Sequence, residues 1–98
     1  MFVHNVYFWL KDEVTDEEEV AFRQGLESLK DIETVRALYV GRPVPSEREV
    51  VDHSYTFGLT AVFDDSDGHD AYQVHTLHKE FLDEFAHSWD RIVIYDME

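Results

Sequence analysis

The residues best suited to chemistry in this chain are its histidines and one tyrosine. Six histidines fall within 98 residues. Imidazole is the one side chain whose ordinary pKa lets it take or give a proton near neutral pH. Two of them share the segment Tyr72-Gln73-Val74-His75-Thr76-Leu77-His78. On a helical wheel, Val74, Leu77, Phe81 and Phe85 cluster on one side, with Ala71 and Leu82 adjoining. His78 falls near the middle of that apolar arc, His75 at its edge and Tyr72 on its flank. His69 and His87 point away from it and are expected to be solvated. Burial disfavours the imidazolium, so His78 in an apolar pocket would be neutral near pH 7 and able to accept a proton. The competing reading is a structural histidine, hydrogen-bonded inside the core. His4 favours the first reading. It alternates with Val6, Phe8 and Leu10 on a core-facing side of an N-terminal strand. Two inward histidines and Tyr72 make a polar cluster that is costly in packed bulk and natural around a cavity.

Other chemistries are poorly supported. His75 and His78 have the i, i+3 spacing of a metal pair, but their rings diverge by about 60° on the wheel. Asp64, Asp65, Asp67 and Asp70 crowd one turn and read as a solvated helix start. His53 reads as a loop anchor. There is no cysteine, so thiolate zinc sites, disulfides and cysteine nucleophiles are excluded. No glycine-rich phosphate loop or serine-centred elbow is present. The expectation is a site without metal or cofactor.

These side chains must be positioned by a small set of elements. Residues 2–10, FVHNVYFWL, read as a strand that is apolar on both faces. Thr15-x-x-Glu18 is a capping-box pattern, and Phe22, Leu26 and Leu29 give the helix it opens a buried stripe. Residues 33–40 predict a second strand ending at Gly41. Residues 41–52 hold both prolines and form a loop long enough to suggest a functional or interface role. Residues 53–63 predict a third strand, with Tyr55, Phe57, Leu59, Ala61 and Phe63 on one face. A single long helix to about His87 follows, and residues 89–96 form the last strand. The order is βαββαβ, the ferredoxin-like α+β arrangement of one four-stranded antiparallel sheet with two helices on one face. The chain, 1–98, is read as a single domain. The bare sheet face is apolar, so a homodimer closing two sheets into a dimeric α/β barrel is expected.

A family resemblance agrees. His4-Asn5-Val6-Tyr7-Phe8-Trp9-Leu10-Lys11 resembles the H-x-V-x-F-x-L-K opening of the stress-responsive A/B barrel (Dabb) family. Asp52 through Phe63 resembles its central strand, Tyr72 through His78 its Y-x-x-H-P-x-H helix motif, and Val93-Ile94-Tyr95-Asp96 its terminal strand. The resemblance implies a dimeric ferredoxin-like barrel whose members are often uncharacterised. It also implies an activity in some of them: a plant member cyclises a linear polyketide by aldol chemistry without a cofactor. Its roles would carry over to His78 as general base and Tyr72 as assistant, with His4 lining the cavity. Two positions depart from the pattern. Thr76 stands where the family has Pro, so the helix break before His78 is expected to be absent or softened. On an unbroken helix Tyr72 and His78 would lie about 120° apart, too divergent to meet one substrate atom. Leu26 stands where cyclase-type members place a cavity tyrosine, which makes the wall more apolar.

Two functions follow as expectations. One is a dimeric stress-responsive module with an internal pocket for a small, partly apolar ligand, contacted by His4, Leu26, Tyr72, His75 and His78. The other is a cofactor-independent enzyme, an aldol-type cyclase, lyase or isomerase, with His78 as base and Tyr72 or His4 holding the oxyanion. The net charge of −14 repels phosphate backbones and anionic membrane surfaces, so neither nucleic acid nor membrane is an expected partner. Lack of cysteine and of a basic, apolar leader fits a cytoplasmic protein.

Overall fold

An aromatic and β-branched run forms strand β1, Phe2–Leu10, and its alternation decides which side chains go inward. His4, Val6 and Phe8 are buried, whereas Val3, Asn5, Tyr7 and Trp9 keep partial exposure on the opposite face. The computed structural model describes residues 1–98. After β1 come helix α1 (Asp16–Ser28), strands β2 (Ala37–Gly41) and β3 (Phe57–Phe63), helices α2 (Ser66–Val74) and α3 (Thr76–Phe85), and strand β4 (Trp89–Met97). The sheet is antiparallel throughout, in the order β2-β3-β1-β4. This is the ferredoxin-like arrangement expected from the sequence.

Local signals set the helix starts. Thr15 and Glu18 form the full capping box at the head of α1, where Asp16, Glu17, Glu18 and Glu19 meet the positive end of the dipole. Asp65 caps α2 by accepting the Gly68 amide at 2.9 Å. All three helices cover one sheet face. Phe22 and Leu26 of α1, Tyr72 of α2 and Phe81 of α3 join Val6, Phe8, Phe57, Leu59, Ala61 and Phe63 in the core. Phe22 is its hub, with Phe8 edge-on at 5.2 Å and Phe81 at 5.7 Å.

Several elements differ from the sequence reading. Strand β2 begins at Ala37 rather than 33, because the chain is still turning there, with the Val35 amide donating back to the Ile32 carbonyl at 3.0 Å. Strand β3 begins at Phe57 rather than 53. Tyr55 therefore escapes the alternation and lies on the outer face, edge-on to Tyr7 at 5.0 Å. The preceding loop is anchored on that same face, where the Trp9 indole donates to Ser54 Oγ at 3.0 Å.

The long second helix is two helices. His75 leaves the helical conformation, at φ −66° and ψ 145°, and caps α3: its Nδ1 accepts the Leu77 amide at 3.0 Å. The break occurs without proline. The imidazole supplies the capping acceptor that makes a new helix start favourable. The same break turns Val74 outward, so this residue, expected on the buried arc, is exposed.

Candidate functional site

The helical layer covers β1 and β3 well and β4 poorly. Ile92, Ile94 and Asp96 share the inner face of β4, opposite Phe8, Val6 and His4, yet all three are exposed. Between this strand and the helices lies a cavity of about 120 Å³. Its polar lining is His4, Tyr72, Gln73 and His78; Leu26, Phe81, Trp89, Ile92 and Ile94 are among its apolar walls.

Each polar group is delivered by a different piece of structure. Strand β1 brings His4, the last turn of α2 brings Tyr72, and the first turn of α3 brings His78. The kink at His75 is what joins the last two. The Tyr72 and His78 rings stand edge to face with centres 4.8 Å apart, and His4 is edge-on to Tyr72 at 5.9 Å. The expected 120° divergence of Tyr72 and His78 is thus replaced by direct contact, because the two residues belong to separate helices.

The electrostatics give the three groups different tasks. Burial lowers the His78 pKa, the positive forms of His4 and His69 would lower it further, and the Gln73 backbone pulls weakly the other way. His78 is therefore a neutral imidazole at pH 7. Its Nδ1 is buried and has no hydrogen-bond partner. Burial raises the Tyr72 phenol far above its ordinary value, so it stays a neutral donor at physiological pH. Burial also lowers the pKa of His4, against the opposing pull of Asp96.

His4 Nδ1 and Asp96 Oδ1 are 2.6 Å apart. A carboxylate only accepts, so His4 donates from Nδ1 and Nε2 is left as an acceptor. Neutral His4 in that tautomer has no second N–H to donate. Tyr72 brings a hydroxyl donor to the cavity lining, alongside the Gln73 amide and the Trp89 indole.

Two other histidines differ from their expected places. His69, expected in solvent, is 6% exposed, stacked on Phe2 at 4.4 Å and beside His4 at 4.7 Å. The wheel of one unbroken helix misdirected it, because α2 ends at Val74 and tilts independently of α3. His75, expected at the ligand, caps α3 through Nδ1 and faces Glu33 through Nε2 at 3.2 Å, away from the cavity lining. His53 and His87 are exposed. Sequence reasoning missed Asp96 and His69 altogether. The alternation Ile92, Ile94, Asp96 was a usable signal for the first, but only the pairing register sets it against His4.

The outer face of the sheet carries a second, open depression of about 290 Å³ among Tyr7, Trp9, Asp52, Tyr55, Arg91, Val93 and Tyr95. Arg91 lies over the Trp9 ring at 4.1 Å. Tyr39, Tyr95 and Met97 are exposed large side chains of the strands. No helix is long and apolar enough to cross a membrane.

Known proteins bear on this geometry. A protein of Arabidopsis thaliana of known crystal structure is 25% identical, with a TM-score of 0.84 over 100% of this chain and 94% of its own. A hydroxynitrile lyase from Passiflora edulis shares the fold at 15% identity, with a TM-score of 0.85 over 98% of this chain and 90% of its own. A ferredoxin-like protein of unknown function from Thermobifida fusca, described as dimeric, is 24% identical, with a TM-score of 0.82 over 98% of this chain and 88% of its own. Comparison with curated proteins finds no match. The model of the stress responsive A/B barrel domain matches residues 2–98. With the sheet order and cavity already described, that match over nearly the whole length settles the family: the chain belongs to the stress responsive A/B barrel domain family.

Proposed function

We propose that this protein is a homodimeric acid–base enzyme that binds a small, partly apolar carbonyl compound in the cavity and moves a proton on it. The observation that carries this reading is the contact between His78 and Tyr72. A neutral imidazole with an unpartnered nitrogen stands against a phenol that remains protonated. His78 takes a proton from the carbon next to the carbonyl and becomes imidazolium. The electron pair moves onto the carbonyl oxygen, and Tyr72 donates a hydrogen bond to that oxygen. His4, oriented by Asp96, accepts a hydroxyl of the substrate. Returning the proton to carbon or oxygen, or expelling a leaving group, completes an isomerase, cyclase or lyase step. Leu26 and the other apolar walls favour a substrate with a hydrocarbon or aromatic body. About 120 Å³ suits a compound of modest size.

The dimer and the location belong to the same reading. Trp9, Tyr7, Val93 and Tyr95 form an aromatic and aliphatic patch on the uncovered sheet face, and relatives of this fold are described as dimeric. A second copy packed face to face would cover it. The lack of cysteine favours the cytoplasm.

The test is a thermal-shift screen of wild type and His78→Ala against small aromatic and polyketide-like carbonyl compounds. The reading expects a compound that raises the wild-type midpoint, and a variant that folds but loses the shift. If no compound shifts wild type and the variant melts far earlier, His78 is a structural core histidine and the enzymatic reading fails.

A further inference from the structure

A second cluster of chemistry-bearing groups stands beside the cavity and shares His4 and Asp96 with the substrate contact just described. It joins the N-terminal strand, helix α2 and the end of the last strand. One donor atom from each of His4, His69 and Asp96 lies within 4.8 Å of one from each of the others. His4 and His69 are 4% and 6% exposed. His69 Nε2 is buried with no hydrogen-bond partner, an arrangement that a neutral packing histidine should avoid. His4 and Asp96 are already locked together at 2.6 Å.

We propose that His4, His69 and Asp96 form a binding site for a divalent transition-metal ion of the zinc class. Two imidazoles bound to one ion at about 2.0–2.1 Å have ring centres about 4.5–5.2 Å apart for angles between right-angled and tetrahedral. The His4 and His69 ring centres are 4.7 Å apart, inside that window. The donor set is two imidazole nitrogens and one carboxylate oxygen. It suits zinc, iron, cobalt or nickel, whereas magnesium and calcium prefer all-oxygen shells. Tetrahedral ligands stand about 3.3 Å from one another, so donor atoms that lie within 4.8 Å of one another must draw in by at most about 1.5 Å. The carboxylate can supply that movement, because the Asp96 side chain is 36% exposed at the sheet edge. The ion would replace the proton that now bridges His4 and Asp96. Three protein ligands leave a coordination position for water or an exogenous donor. The overall charge of −14 raises the local concentration of cations.

This site goes beyond the proposed proton transfer: the two share His4 and Asp96, but neither His69 nor the ion enters that step, and metal binding does not require it. The test uses the chelator-treated full-length protein titrated with cobalt(II), read by visible absorption, followed by displacement with zinc(II). The proposal expects saturation at one cobalt per chain and displacement by zinc. His69→Gln and Asp96→Asn should each weaken binding by about tenfold or more. His87→Gln, at an exposed histidine outside the cluster, should bind as wild type does. Circular dichroism checks folding. If His69→Gln is misfolded, Asp96→Asn at the exposed edge decides. Absence of saturable cobalt binding at millimolar metal overturns the site. So does binding that survives Asp96→Asn unchanged, or that is lost in His87→Gln instead. Turnover is not read at any point, so failure here leaves the His78 reading standing, and the reverse also holds.

Discussion

Burial lowers the pKa of His78 below the ordinary 6.5. The unfolded chain therefore binds a proton at a pH where the folded chain does not. Between the two values stability rises with pH. The penalty is absent above the unfolded value of about 6.5 and fully developed below the folded one. His4 shifts the same way, so both contribute. The midpoint of thermal unfolding should fall as pH is lowered from 7 to 5, and His78→Asn should flatten part of that fall. An unchanged pH profile in the variant would contradict the burial assigned to His78. Tyr72→Phe keeps the buried ring and removes the donor. It should leave the fold intact and reduce turnover of a true substrate by about 10²- to 10³-fold, the usual cost of one oxyanion donor. Of these groups, His4, Tyr72 and His78 were legible in the sequence, since alternation or helical spacing places each beside apolar residues. Asp96 and His69 were not. Their relevance comes from strand register and helix tilt, which are tertiary quantities.

The break between α2 and α3 decides whether those side chains meet. Sequence reasoning tied the break to proline, and Thr76 argued against it. The chain instead uses His75, whose extended backbone and capping imidazole do the same work. His75 already holds the φ and ψ that a residue before proline requires, and Thr76 is the first residue of α3, where proline is welcome. Thr76→Pro should therefore be neutral or stabilising by up to about 1 kcal/mol, measured by denaturant unfolding. A loss of several kcal/mol would mean that α2 and α3 are one helix in solution. Gly25 sets the approach of α1 to α3. A Cβ there would stand 2.5 Å from the Phe85 ring and 3.2 Å from that of Phe81. Helix propensity favours alanine by about 1 kcal/mol, but overpacking costs about 1–3 kcal/mol. The rings are wedged against Phe22, so crowding should win, and Gly25→Ala should lose about 1 kcal/mol net.

For the molecule as a whole, the succession of strand and helix patterns along the sequence led to the βαββαβ order, and the observed elements and antiparallel sheet agree with it. What stayed hidden was the destination of the long loop. Its end lies across the outer face through Ser54 and Tyr55 rather than over the cavity, because Trp9 and Tyr7 offer it partners. Sedimentation should give twice the chain mass at micromolar concentration. Val93→Arg, which places a charge within the patch formed with Tyr7, Trp9 and Tyr95, should give the single-chain mass with the secondary structure retained. The central claim is that His78 removes a proton from carbon, and it can be read without knowing the natural substrate. Small aromatic ketones incubated with the protein in D₂O are followed by NMR for exchange of the hydrogens next to the carbonyl. The account predicts exchange accelerated by wild type over buffer, with His78→Ala losing about 10²- to 10⁴-fold of that rate while remaining folded. Exchange equally fast with the variant, or no faster than buffer with either protein, would contradict it.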